Sequence, residues 1–522
     1  MISKFYDKIS TVKISAEWRI ILSLSVLKLV VHFFTNSNYE PHADAYLYSS
    51  MYDKLDWGYL SVPPSIALFT KISIFLFGKT YFAVGFFPAL SGAISLVILG
   101  ASIKEMGGGN TALIIGCFAF LLAPAFLRSN TFLQPTSFDQ FYWLLSSYLI
   151  IKLLKTKNVK IWILLGIVFG LGFMNKYSIA FYVIAFLISL LISNQRKLLF
   201  SGFTIYGIIL GLIIILPNII WQRNHNWPAI FHMNELYSSQ LVHVQVSQFI
   251  VMQLLMNLPA IGVWLFGLIY LLFLKPGKDF KIVGWMYLIL FAEMLLFKGK
   301  FYYIIGIYSI LMAVGGVAIE RYCSENLRIL MWGIVSFLIL CGLFFLPFSL
   351  PVLKENKMIK FCELTKSLGI AEPLRWNNGE IKQIPQDFAE MTGFREMSEI
   401  VIKTFNQLDK DEKNDCFIYA ETYAIAGALK FYGKESGLPD AISYQDNFIL
   451  WAPETMEKKI MIYVNYHHGE YLNLFGNVAE ISKITNRNSI LYGVEIFLCK
   501  NPSPEFYEYY YKTTSGMKNN FR

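Results

Sequence analysis

Stretches of almost unbroken apolar sequence fix what this chain can fold into. They lie near residues 18 to 35, 81 to 103, 110 to 127, 137 to 154, 159 to 174, 177 to 193, 201 to 221, 249 to 274, 282 to 297, 302 to 319 and 328 to 350. A helix needs about 20 such residues to cross the hydrocarbon core of a bilayer, so the pattern predicts about eleven spans. In lipid only helices or closed barrels satisfy their own backbone, and these runs are continuous rather than alternating, which selects a helical bundle. The composition agrees: only 16% of the 522 residues are charged and 55% are hydrophobic, against about 25% charged in an ordinary soluble domain. Disordered, collagen-like and disulfide-rich classes are thereby excluded.

The basic residues set an orientation. Lys4, Lys8, Lys13 and Arg19, then Lys155, Lys157 and Lys160, Arg196 and Lys197, Lys275, Lys278 and Lys281, and finally Arg321 and Arg328 all fall on one side if the spans alternate. The positive-inside rule makes that side cytoplasmic. The opposite side receives segments 36 to 80, 128 to 136, 222 to 248, 298 to 301 and the whole chain after about 350. The formal charge of +9 is read as this topology rather than as a nucleic-acid surface, because no basic cluster is interleaved with aromatics. The amino terminus does not read as a cleavable signal, since its first span is long and further spans follow.

The membrane body is expected over residues 1 to 350, with a first external loop at 36 to 80 and a soluble unit at 351 to 522. In that tail FIYAETYAIAGALKFYG reads as a strand running into a helix, and KIMIYV and GVEIFL read as strands. A small α/β domain follows, of a size that can hold its own core. Cys362, Cys416 and Cys499 fall there, and their spacing leaves a single disulfide open.

Two groups of residues stand out against this background. The first loop carries Glu40, His42, Asp44, Asp53 and Asp56 among Tyr and Trp residues suited to the membrane surface. Asp44, directly after the first span and set among apolar and aromatic neighbours, is the favoured acid; the others are solvated loop charges in the simpler reading. Cations form the second group. Arg128, Lys176, Arg223, Lys298 and Lys300 sit near external span ends, where the topology should deplete them. Converging there they would suit a phosphate or pyrophosphate; singly, each is a snorkelling side chain. Lys28 and His32, a turn apart in the first span, read as a pair facing the bundle or as buried ligands. Gly107 to Gly109 lack a phosphate-loop pattern. In WQRNHNWP, Trp221, Gln222 and His225 could bind a sugar or anchor the chain at the interface.

The order of these features resembles the polytopic lipid-linked-sugar glycosyltransferases of the GT-C fold, in the branch of the protein O-mannosyltransferases and the lipid A aminoarabinose transferase. The matching stretches are HADAYLYSSMYDKLDWGYLSVPPSIALFTKISIFLFGKTYF, SFDQFYW, GLGFMNKYS, PNIIWQRNHNWP and FKGKFYYIIGIYSILMAVGGVAIE; in the tail, QDFAEMTGF, AIAGALKFYG and GLPDAIS look like a bacterial subgroup. The resemblance implies a multi-pass enzyme of the bacterial cytoplasmic (inner) membrane, amino terminus inside and tail outside. Such an enzyme moves a sugar from a polyprenyl phosphate to an acceptor (glycolipid, glycan or protein), with inversion. It places the essential acid at Asp44, as general base or as a group that helps hold the acceptor. The family's frequent second acid is here Ala45, and the acidic and His residues before the double proline are Ser61 and Val62, which puts a two-acid mechanism in doubt and leaves a divalent metal open.

Beside the resemblance stands the chemistry. A base must meet the incoming hydroxyl and cations must stabilise the departing phosphate. Lys176, Lys298, Lys300 and Arg128 are the candidates for the phosphate, and Tyr302, Tyr303, Trp221, His42, Glu40 and Asp139 for the sugar or acceptor; Asp139 equally reads as a pairing group inside the bundle. The leaving group is itself a lipid, so neither a soluble nucleotide nor nucleic acid is an expected partner. A flippase or transporter of lipid-linked saccharides, a ligase of whole polysaccharides and a scaffold remain as rivals; no internal repeat of the transporter kind is visible.

Overall fold

The computed structural model describes residues 15–322, 328–467 and 469–522. Lys4, Lys8 and Lys13 lie outside the described residues. In chain order the membrane body runs α1 (Ala16–Thr35), α2 (Ala43–Ser50), α3 (Ser65–Phe77), α4 (Tyr81–Glu105), α5 (Asn110–Leu122), α6 (Pro124–Ser129), α7 (Pro135–Thr156) and α8 (Ile161–Phe173). It continues with α9 (Ile179–Leu191), α10 (Gly202–Asn224), α11 (Pro228–Ser239), α12 (Val246–Leu255), α13 (Ile261–Phe273), α14 (Lys281–Leu296), α15 (Ile305–Tyr322) and α16 (Arg328–Ser349). All the apolar runs read from the sequence are helical. Among the described residues α1, α4, α10, the segment Phe301–Tyr322 and Ile329–Ser349 are each long and apolar enough to cross a bilayer.

Several of the remaining runs depart from the simple picture of straight spans. Residues 249 to 274 do not form one helix: α12 and α13 meet at an angle of 75° and together could make a sixth crossing. The run from 110 to 127 breaks between α5 and α6, where Pro124 opens the new helix. Helices α8 and α9 have 13 residues each, about 20 Å of rise, shorter than the hydrocarbon core.

Helices α8 and α10 pack at backbone distance because their facing positions are glycines. A Cβ on Gly166 would fall 2.0 Å from the Gly207 carbonyl oxygen, and one on Gly170 would fall 3.1 Å from that of Gly211. The two Gly-x-x-x-Gly pairs let the helices approach as small residues do in membranes, where dispersion rather than hydrophobic exclusion drives contact.

After Ser349 come α17 (Glu355–Ser367), α18 (Gln386–Ala389), α19 (Phe394–Asn406), α20 (Lys410–Asn414), β1 (Cys416–Ala420), α21 (Tyr423–Gly433) and α22 (Phe448–Trp451). Then follow β2 (Ile460–Asn465), β3 (Phe475–Lys483), β4 (Glu495–Pro502) and α23 (Pro504–Asn519). The sheet has the order β1-β2-β4-β3, with β1 parallel to β2 and the other pairs antiparallel. The three strands read from the sequence are β1, β2 and β4. β3 went unread because most of its residues are exposed and carry no apolar alternation.

Cys416 and Cys499 cannot form the disulfide left open above: β2 separates their strands, which puts their Cα atoms about two strand spacings apart, beyond the reach of an S–S bond. Both are free thiols, as is Cys362.

The tail does not hang from the membrane body. Phe394, Met397, Ile425 and Leu429 share one continuous apolar core with Tyr46, Leu47 and the bundle. Helix α21 lies against α2 so closely that a Cβ on Gly427 would meet the Tyr46 carbonyl oxygen at 2.5 Å. The run Ala-Ile-Ala-Gly-Ala supplies this smooth face.

Candidate functional site

The first connecting segment is fastened to the tail by its polar residues. Glu40 accepts the backbone N–H groups of Gly393 and Arg395, at 3.3 and 3.0 Å. It thus caps the positive end of α19. His42 is the N-cap of α2: its Nδ1 accepts the Asp44 backbone N–H at 3.2 Å, while Nε2 lies 2.8 Å from a Glu390 carboxylate oxygen. Burial works against charge on this ring, but Glu390, Asp44 and Asp387 outweigh it and raise its pKa. Both side chains are engaged in joining chain segments.

Asp44 follows in the first turn of α2 and remains 31% exposed. Its Oδ2 accepts from Gln134 Nε2 and its Oδ1 from the Tyr423 hydroxyl, each at 2.8 Å. The carboxylate is therefore aimed by two donors from different parts of the chain, the residue before α7 and the first residue of α21. Asp44 and burial together hold the Tyr423 phenol well above its ordinary pKa, so it stays a donor. A second carboxylate arrives from the tail. Asp446 adopts a left-handed φ of 50°, a conformation Asp tolerates better than most residues; burial and, more weakly, the charge of Asp44 push its carboxyl above the usual range.

Cations gather around Tyr302. The Lys176 ammonium lies 5.9 Å from the centroid of its ring and 5.3 Å from that of Tyr303, and Lys300 lies 5.9 Å from Tyr302. Lys176 also donates to Thr136 Oγ1 at 2.9 Å. Burial lowers the pKa of both lysines; Asp139 opposes this at Lys176 and Asp44 at Lys300. The Tyr302 hydroxyl feels the charges of Arg128, Asp44 and Asp387 together, so acid and cations share one neighbourhood.

Arg128 is less free than its position in the sequence implies. Its Nε and Nη2 both donate to the Asp387 carboxylate, and its guanidinium lies 5.2 Å from the Phe132 ring. Burial opposes ionisation of Asp387, yet Arg128 and His42 hold its pKa below the ordinary value.

Other sequence candidates have partners of their own. Lys298 is exposed and donates to the Val242 carbonyl at 3.4 Å. Asp139 is buried and accepts from Trp143 Nε1 and the Ser178 hydroxyl, at 3.1 and 3.0 Å, the pairing role. Trp221 stacks on His225 with centroids 4.0 Å apart, and Gln222 donates to the Tyr177 hydroxyl at 2.9 Å. Lys28 donates to the Phe126 carbonyl and His32 Nε2 lies 3.2 Å from that of Leu127, which ties α1 to α6. Among the described residues no three His, Cys, Asp or Glu side chains are grouped to hold a metal ion.

Sequence reading alone left out Gln134, Tyr423, Asp446, Asp387 and Glu390. Two of them lie inside QDFAEMTGF, and Tyr423 stands directly before AIAGALKFYG. Those family-like tail stretches were the available signal.

Residues 61–221 match the family model described as dolichyl-phosphate-mannose-protein mannosyltransferase. The lipid A galacturonosyltransferase RgtD of Rhizobium johnstonii is 22% identical over 219 residues, 42% of this chain and 45% of that protein, so the match spans less than half the length of this curated relative. ArnT from Cupriavidus metallidurans, solved bound to undecaprenyl phosphate, superposes with a TM-score of 0.63 at 14% identity, covering 93% of this chain and 98% of ArnT. Its apo structure gives the same score at 15% identity. The chain thus shares the fold of ArnT, a helical membrane body carrying a small α/β unit, and one segment of it matches the mannosyltransferase family model.

Proposed function

We propose that this chain is a multi-pass membrane glycosyltransferase that moves a sugar from a polyprenyl phosphate to an acceptor on the extracytoplasmic face, with inversion. The acceptor is a glycolipid, a glycan or a protein. The observation that carries this reading is the meeting of Asp44, fixed by Gln134 and Tyr423, with Lys176 and Lys300 around Tyr302. The relatives support it too: one is named for galacturonosyl transfer to lipid A and another is solved with undecaprenyl phosphate.

In the proposed reaction the acceptor hydroxyl takes the place of the Tyr423 phenol on Asp44 Oδ1. Its oxygen attacks the anomeric carbon as its proton passes to the carboxylate. The bond from that carbon to the carrier phosphate breaks, and the electron pair leaves with the phosphate oxygen. Lys176 and Lys300 stabilise the charge that develops there, with Arg128 a weaker contributor because Asp387 already occupies two of its N–H groups. Attack opposite the leaving group inverts the sugar. Half-buried ammonium groups suit this task, since charge interactions strengthen where water is excluded.

Mass spectrometry of lipids and glycoconjugates from cells with and without the protein tests the proposal. A sugar modification missing without the protein, and restored by the wild-type gene, would identify donor and acceptor together. Loss of the modification with the lipid-linked sugar trapped on the cytoplasmic leaflet would replace the enzyme with a flippase, and unchanged glycoconjugates would refute the transfer.

A further inference from the structure

At the other end of α2 from Asp44, about 12 Å along the helix, four lysines surround two aromatic rings. Lys79, Lys430 and Lys434 place their ammonium groups 5.0, 5.9 and 5.1 Å from the centroid of Tyr52. Lys54 and Lys430 lie 4.6 and 5.8 Å from that of Trp451. Among the described residues two carboxylates answer them. Asp53 takes Lys430 at 2.8 Å and Lys434 at 3.3 Å, and Asp440 lies 3.7 Å from Lys54 and 3.5 Å from Lys430. Two positive charges are left over. Lys79 has the weakest company: a backbone carbonyl at 3.4 Å and the face of Tyr52. Burial lowers its pKa, and the like charges of Lys434 and Lys430 add to that.

The surroundings say where a counter-charge would come from. Lys79 follows the apolar helix α3 by two residues, and Phe75 and Leu76 at the end of that helix are 86% and 56% exposed. Such rings and alkyl groups belong in acyl chains, so an ammonium just beyond them sits at headgroup depth. Lys430 on α21 and Lys434 just past its end reach the same place from the tail. Snorkelling accounts for one lysine at a helix end; it does not account for four from three chain segments closing on the same rings.

We propose that this cage binds the phosphate of an anionic phospholipid headgroup and so fastens the α/β unit to the bilayer surface. The site does not depend on the role given to Asp44. Full-length protein in nanodiscs of phosphatidylcholine, with and without phosphatidylglycerol, provides the test, read by native mass spectrometry of retained lipid and by competition with inorganic phosphate. The wild type should retain phosphatidylglycerol preferentially. The double variant Lys79→Ala/Lys434→Ala should lose that preference by about tenfold, while Lys79→Arg/Lys434→Arg and the control Lys512→Ala, at an exposed lysine paired with Glu508, keep it. Equal retention by wild type and the alanine double variant would overturn the site, and loss in the arginine variant would overturn the charge argument. Inorganic phosphate binding to the cage with no preference for phosphatidylglycerol would overturn the lipid assignment.

Discussion

Asp44 is held by one donor from the bundle and one from the tail, and that pair of contacts is what sets it apart from Glu40 and Asp53 in the same loop. Glu40 caps a helix and Asp53 neutralises lysines, whereas the Asp44 carboxylate accepts from an amide and a phenol. The Arg128–Asp387 pair carries a prediction. Removing one partner strands the other, so Arg128→Gln should cost roughly 1–3 kcal/mol, measurable as a lower thermal midpoint in detergent. An undiminished midpoint would mean that the pair contributes nothing. The same pair fixes a pH response. Asp387 has a folded pKa below its unfolded value, so its contribution is complete above about pH 4 and disappears as pH falls through the folded pKa. Stability should therefore fall more steeply with acid in the wild type than in Asp387→Asn; identical acid profiles would contradict the assignment.

At the scale of elements, the contact between α2 and α21 sets the site, because Asp44 begins one helix and Tyr423 the other. Gly427 allows their approach at a distance that excludes a methyl group. Gly427→Ala should force the helices apart, cost roughly 1–3 kcal/mol and weaken transfer, whereas Gly437→Ala tests only a turn with φ 75°. A Gly427→Ala protein with unchanged midpoint and rate would refute the close contact. Elements were also the level most legible in the sequence. Long apolar runs can be read directly because the bilayer demands them, and the apolar, fully buried strands β1 and β2 declare themselves in the same way. The bend between α12 and α13 and the exposed strand β3 were illegible, since a run of apolar residues carries no direction and an exposed edge carries no pattern. Asp44, Lys176 and Lys300 could be singled out as charges in the wrong place. The donors to Asp44, Gln134 and Tyr423, could not, because long-range pairing leaves no local trace.

For the molecule as a whole, the shared core makes membrane body and tail a single folding problem. Cutting the short connection at residues 351 to 354, between α16 and α17, should leave the two pieces associated through purification, because the apolar contact and the Asp387, Glu390 and Asp53 pairs persist. Dissociation of the tail in mild detergent would show the contact to be weak. The arrangement gives the tail a direct part in the site, through Tyr423 and Asp446, rather than a remote one.

The most direct test of the account is sugar transfer in proteoliposomes by Asp44→Asn, with thermal midpoint and undecaprenyl phosphate binding measured on the same sample. Loss of a general base predicts a rate lower by about 10²–10⁴-fold, with folding and lipid binding retained. Transfer at the wild-type rate by a folded Asp44→Asn protein would contradict it.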